Sequence, residues 1–133
     1  MIGSMEHIGL CASDPKALAA WYVTHLEFVV VRALEESRVY FIRCRGGGML
    51  EIYPAAHQAD PVDNVHRGLR HIALGVSDIE AEVTRLSLAG ISVPEETMVT
   101  TPHMRLAFFK DPEGNLIHLV QRNEEIPPYS QKL

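Results

Sequence analysis

Four residues able to ligate a metal ion stand at matched places in the chain: His7, Glu51, His71 and His118. Met5 to Asp14 reads M-E-H-I-G-L-C-A-S-D, and Arg70 to Asp78 reads R-H-I-A-L-G-V-S-D. A shift of 64 residues (71 − 7) lays His71 on His7, and with it Ile72 on Ile8, Leu74 on Leu10, Ser77 on Ser13 and Asp78 on Asp14. A shift of 67 (118 − 51) lays His118 on Glu51. A repeat that keeps an ionisable side chain at one strand position is expected to repeat a whole folding unit and to use those side chains together. A carboxylate or imidazole alone in an apolar strand is costly to bury, whereas one shared cation satisfies all four groups. Three imidazoles and one carboxylate suit one divalent transition metal per site (Zn, Ni, Co, Fe or Mn), with coordination positions left for water or substrate.

The elements that must position these residues are read from periodicity. Met5 to Ala12 alternates His7, Gly9 and Cys11 with Ile8, Leu10 and Ala12, a strand with two unlike faces. Ser13 or Asp14 caps the following helix, Pro15 suits its first turn, and Leu18, Trp21 or Tyr22, and His25 or Leu26 mark its apolar face. Glu27 to Leu34 and Ser37 to Cys44 read as an antiparallel pair, and Gly46-Gly47-Gly48 as a hairpin turn, since no Lys-Ser/Thr follows to make a phosphate loop. Met49 to Tyr53 is the fourth strand, with Glu51 at its centre.

The second copy runs in the same order. His71 to Val76 is a strand, Asp78 a cap, and Ile79, Val83 and Leu86 a helix stopped at Gly90. Ile91 to Thr101 is a weak strand region interrupted by Pro94, and Met104 to Phe109 and Leu116 to Gln121 are strands joined by Asp111-Pro112-Glu113-Gly114-Asn115. In each ligand-bearing strand the neighbouring Ile and Leu pack under a helix, so the four polar groups are expected on the opposite face. Met49, Tyr53 and Leu116 fall on that face and are expected to line a substrate pocket. His25, His57, His66 and His103 read as surface residues.

The modules are therefore bounded at 5–54 and 68–122, with a polar linker at 55–67 and a tail at 123–133. Met1 to Ser4 reads as an expression remnant ahead of a start at Met5. At 133 residues, 47% apolar and 22% charged, the chain fits one globular domain. A net charge of −5 without clustered Lys and Arg argues against nucleic acid, and strand-sized apolar runs argue against a membrane span. No secretory signal is read at the N-terminus, and Cys11 and Cys44 read as buried thiols of a cytoplasmic protein.

The stretches H-I-G-L-C-A-S-D-P-K-A-L-A-A-W-Y, L-E-I-Y, R-H-I-A-L-G-V-S-D and D-P-E-G-N-L-I-H-L-V together resemble the vicinal oxygen chelate superfamily. That group includes glyoxalase I, methylmalonyl-CoA epimerase, extradiol dioxygenases, and fosfomycin and bleomycin resistance proteins. The resemblance, from Met5 to about Arg122, implies an α+β fold of two βαβββ modules forming a curled mixed sheet around a central cleft. It matches His7, Glu51 and His71 to ligands of the glyoxalase I arrangement, and places His118 where most relatives carry glutamate. The first strand holds Gly9 and Cys11 where glyoxalase I would use an arginine for glutathione, so another substrate is expected.

The resemblance implies a metal-dependent lyase or isomerase acting on a small molecule that chelates the ion through vicinal oxygens. Glu51 and His118 are the expected catalytic proton carriers. Alternatives are an Fe(II) extradiol-type dioxygenase and a metal-free binder of small molecules. A homodimer is expected, with the site closed by two modules of one chain or by modules exchanged between chains.

Overall fold

Two βαβββ units follow one another along the chain. The computed structural model describes residues 4–58, 60 and 63–124. The expected tail from 125 onward, linker positions 59, 61 and 62, and residues 1–3 of the expected remnant lie outside the described residues.

The first unit comprises β1 (Ile8–Ala12), α1 (Pro15–Leu26), β2 (Val29–Leu34), β3 (Val39–Arg43) and β4 (Met49–Pro54). Its mixed sheet has the order β1-β4-β3-β2, with β1 parallel to β4 and the other pairs antiparallel. Asp14 is the cap of α1: its side chain accepts from Ala17 N at 3.1 Å, satisfying a donor that the first helical turn leaves open. The helix ends at Glu27, whose φ of 57° is left-handed. Pro15, Leu18, Ala19 and Tyr22 are its buried face, so Tyr22 rather than Trp21 is the core aromatic. They pack with Tyr40, Ile42, Leu50 and Ile52, all nearly inaccessible.

The second unit comprises β5 (His71–Gly75), α2 (Ile79–Leu88), a short 3-10 turn (Glu95–Thr97), β6 (Val99–Thr100), β7 (Met104–Lys110) and β8 (Leu116–Arg122). Its order, β5-β8-β7-β6, repeats the first topology, with β5 parallel to β8. Asp78 caps α2 by accepting from Ala81 N at 3.0 Å, and Gly90 follows the helix with a φ of +80° that a side chain would strain. Ile79, Leu86, Ala107, Phe109, Ile117 and Leu119 form its core.

The weak strand expected over 91–101 reduces to the two residues of β6. Pro94 precedes the 3-10 turn, and the Thr97 hydroxyl accepts from Phe108 N at 3.1 Å and donates to the Pro94 carbonyl at 2.6 Å. A side chain there takes the place of ladder partners.

By its contacts, the loop Asp111–Gly114 belongs to the first unit although β7 and β8 belong to the second. Asp111, only 5% exposed, accepts from the Tyr22 hydroxyl at 3.0 Å and from Glu113 N at 3.0 Å. Gly114, at φ +88°, closes the turn by donating to the Asp111 carbonyl at 3.0 Å. That accounts for the D-P-x-G pattern: a buried acceptor, a turn, and a left-handed position only glycine takes freely. Among the described residues no helix is long and apolar enough to cross a membrane.

Candidate metal centre

In the first unit the sheet face away from α1 carries the polar residues. Register places Gly9 beside Glu51 and Phe41 beside Glu51, with Cys11 beside Tyr53 and Arg43 beside Met49. Met49, Glu51 and Tyr53 therefore share one face, since strand side chains alternate. His7 stands one residue before β1, and its Nε2 lies 3.2 Å from Glu51 Oε2. Its Nδ1 is hydrogen-bonded to the Glu6 carboxylate. The edge of the Phe41 ring closes on the imidazole, at 6.0 Å between centroids. The two carboxylates, Glu6 foremost, raise the proton affinity of His7 above the ordinary imidazole value.

The second unit builds the equivalent face with different chemistry. Ala73 lies beside His118, Phe108 beside His118, and His71 beside Leu116. The His71 and His118 rings are tilted against each other with centroids 4.2 Å apart, and Phe108 packs on both at 6.3 and 4.8 Å. His118 is 8% exposed, and its buried Nδ1 finds no hydrogen-bond partner among the described residues. Burial first, and then the positive charges His71 and Arg122 would bring, lower its pKa to about 4. It is a neutral imidazole at neutral pH, the protonation state in which histidine ligates metals.

The structure thus gathers the ligand-type residues as two pairs, His7 with Glu51 and His71 with His118. Among the described residues no group of three or more His, Cys, Asp or Glu is gathered tightly enough to hold an ion. The pairs nevertheless carry donor atoms of ligand type. Each offers donors suited to a divalent transition metal, and the orphaned nitrogen of His118 is a buried polar atom that a cation would satisfy.

Tyr53 leans across the first strand. A Cβ on Gly9 would lie 3.2 Å from Tyr53 Cε1, so the missing side chain is what lets the ring take this place. A hydrogen bond with the Cys11 sulfur leads the causes that raise the phenol pKa. Cys11 is consequently exposed on the polar face and Cys44 half-buried, both as free thiols, which corrects the expectation that both are buried. The strand is two-faced, and Cys11 falls on the side that α1 leaves uncovered.

His66 and His103 are exposed, paired with Asp63 at 2.7 Å and Glu124 at 3.6 Å. His25 packs against Trp21 at 5.5 Å. Sequence reasoning passed over Phe41 and Phe108, although they are 67 residues apart (108 − 41), the same shift that relates Glu51 to His118. It also passed over Glu6 and Asn64, which touch the two first-strand histidines. Glu6 was legible as the neighbour of His7, whereas Asn64 is seven residues from His71 in what reads as linker.

The family model described as Glyoxalase/Bleomycin resistance protein/Dioxygenase superfamily matches residues 4–119. The chain is similar to the uncharacterized protein YaeR of Escherichia coli strain K12, 28% identical over 125 residues, covering 89% of this chain and 95% of that protein. Among solved structures it is similar to TnmS3, an antibiotic binding protein from Streptomyces sp. CB03234, with a TM-score of 0.74, 25% identity, and 92% and 98% of the two chains covered. A glyoxalase family protein from Enterococcus faecalis matches with a TM-score of 0.70 and 28% identity, covering 88% of this chain and 96% of that one.

Proposed function

We propose for this chain, which belongs to the Glyoxalase/Bleomycin resistance protein/Dioxygenase superfamily, a metal-dependent reaction of the glyoxalase type. It is read as a lyase or isomerase acting on a small molecule that presents two neighbouring oxygens. Members of this superfamily commonly use divalent metals, which supports the reading. The observation that carries it is the recurrence of ligand-type pairs at equivalent register, His7/Glu51 and His71/His118, one of them with a buried nitrogen left unsatisfied.

His7, Glu51, His71 and His118 are the proposed ligands of one divalent transition ion. When bound, the ion supplies Lewis-acid polarisation of the substrate oxygens. Glu51 is the first proton carrier in this reading, because its carboxylate shares a face with Met49 and Tyr53, on the proposed substrate side. His118, with a pKa lowered to about 4, serves first as a neutral ligand and only weakly as a base. Met49, Tyr53 and Leu116 line the substrate side, with the Tyr53 phenol as the polar contact. A homodimer in the cytoplasm completes the proposal. The exposed Val29, Val30 and Val31 of edge strand β2 support association, and free Cys11 and Cys44 suit a reducing compartment.

The test is the metal content of protein purified without added metal or chelator, beside the His7→Ala and His118→Ala variants. One tightly held transition ion per site in the wild type, lost in both variants, is the expected result. Wild-type protein that arrives metal-free and takes up none of Zn, Ni, Co, Mn or Fe(II) would overturn the enzyme reading. It would leave the second one, a small-molecule binder, which similarity to the antibiotic binding protein TnmS3 favours.

A further inference from the structure

His71 does not stand alone on its strand. Its Nδ1 lies 2.7 Å from the side-chain oxygen of Asn64, in the turn that precedes β5. That turn is built for the contact. Asp63 Oδ1 accepts from Val65 N at 2.9 Å and pairs with His66 Nδ1 at 2.7 Å, fixing the backbone on either side of Asn64. Gly68, at φ +116°, then brings the chain round toward β5 in a conformation that other residues rarely adopt.

An amide oxygen only accepts, so the proton of this hydrogen bond belongs to Nδ1. In a neutral imidazole the lone pair then sits on Nε2, the nitrogen left for an ion. The first unit meets the same need with Glu6, whose carboxylate holds Nδ1 of His7. The shift of 64 that relates the units puts Arg70 at the counterpart of Glu6 (6 + 64), and a guanidinium has no lone pair to offer. The second unit therefore draws its acceptor from the turn.

We propose that Asn64 is a positioning residue that fixes His71 as the Nδ1–H tautomer and so prepares Nε2 for the metal. This rests on the ligand role assigned to His71 above. Outer partners of this kind set ring orientation and ligand basicity, and their loss typically weakens metal binding by about 10- to 100-fold.

The experiment has two arms. Long-range proton–nitrogen spectra of metal-free, nitrogen-15-labelled protein at about pH 8, where an ordinary imidazole is neutral, read the tautomer, with His71→Gln used for assignment. Wild type and Asn64→Asp, which retains an acceptor, are expected to show His71 protonated at Nδ1, and Asn64→Ala to move it toward Nε2–H. Zn(II) titration is expected to find Asn64→Ala weaker by about 10- to 100-fold and Asn64→Asp close to wild type. Equal urea midpoints for the variants confirm that the fold is intact. An unchanged tautomer in Asn64→Ala, or an unchanged Zn(II) affinity, overturns the proposal. Wild-type protein that binds no ion sinks the ligand reading instead, and the spectra then decide by themselves whether Asn64 sets the tautomer.

Discussion

The two units share a topology and differ in charge. On the exposed face of the first sheet, His7 stands between two carboxylates, Glu6 and Glu51. On the corresponding face of the second, His118 is buried against His71 and Phe108. The same backbone therefore shifts two histidines in opposite directions, one toward holding its proton and the other toward refusing it. Duplicating a strand fixes where a side chain emerges. Its neighbours and its burial then fix what it does.

The largest test of this contrast is acid. A histidine whose pKa is lowered from 6.5 to about 4 on folding contributes stability that is fully present above about pH 6.5 and lost as the pH falls toward 4. For metal-free protein the part lost between pH 7 and pH 4.5 is about 2 to 3 kcal/mol. Urea unfolding at pH 7 and at pH 4.5 should show a wild-type loss that His118→Leu lacks by about that amount. Equal losses in the two proteins would mean that the burial of His118 is not felt as a proton penalty.

Helix cores offer the next test. Tyr22 of α1 and Leu86 of α2 are counterparts under the shift of 64 (86 − 22), and both are fully buried. Only Tyr22 carries a hydroxyl, which donates to Asp111. Tyr22→Phe is expected to cost about 1 to 3 kcal/mol, because the buried carboxylate of Asp111 loses a donor. Chemical denaturation measures it, and a neutral result would remove the hydroxyl from the account of the D-P-x-G loop.

A smaller effect is expected at the crossing of Gly9 and Tyr53. The counterparts in the second unit are Ala73 (9 + 64) and Val120 (53 + 67), so the second strand affords a methyl group where its neighbour is not a ring. Gly9→Ala should displace Tyr53 and cost about 1 kcal/mol, and adding Tyr53→Val should recover it. A double variant no better than the single one would show that the close approach is not what selects glycine.

The smallest effect belongs to His7, which is solvent-accessible. Its pKa is raised, so its contribution to metal-free protein is present below pH 6.5 and lost as the pH rises through the folded value. An NMR titration should find its midpoint above that of His7 in a Glu6→Gln variant. Coincident curves would dismiss the carboxylate as the cause.

The repeat was legible because strand faces, caps and turn residues are local. Asp14, Asp78 and Gly90 are found by their neighbours alone, as is the placement of Glu51 and His118 at equivalent strand positions. Burial was less legible. Cys11 reads as apolar, yet its exposure follows from which face α1 covers, and Tyr22, the aromatic that α1 buries in place of Trp21, has its hydroxyl's acceptor 89 residues away. Asn64 was hidden for a related reason: its partner is set by how the turn folds back, which no strand or helix period encodes.

The loop Asp111–Gly114 also gives the first unit a history in time. Residues 4–58 can emerge from a ribosome and form β1 to β4 with α1, but the carboxylate that accepts from Tyr22 is synthesised only after most of the second unit. Until residue 111 is synthesised the Tyr22 hydroxyl therefore lacks that acceptor. The Tyr22–Asp111 hydrogen bond is a long-range contact, of the kind that slows folding, and it couples completion of the first half to synthesis of the second.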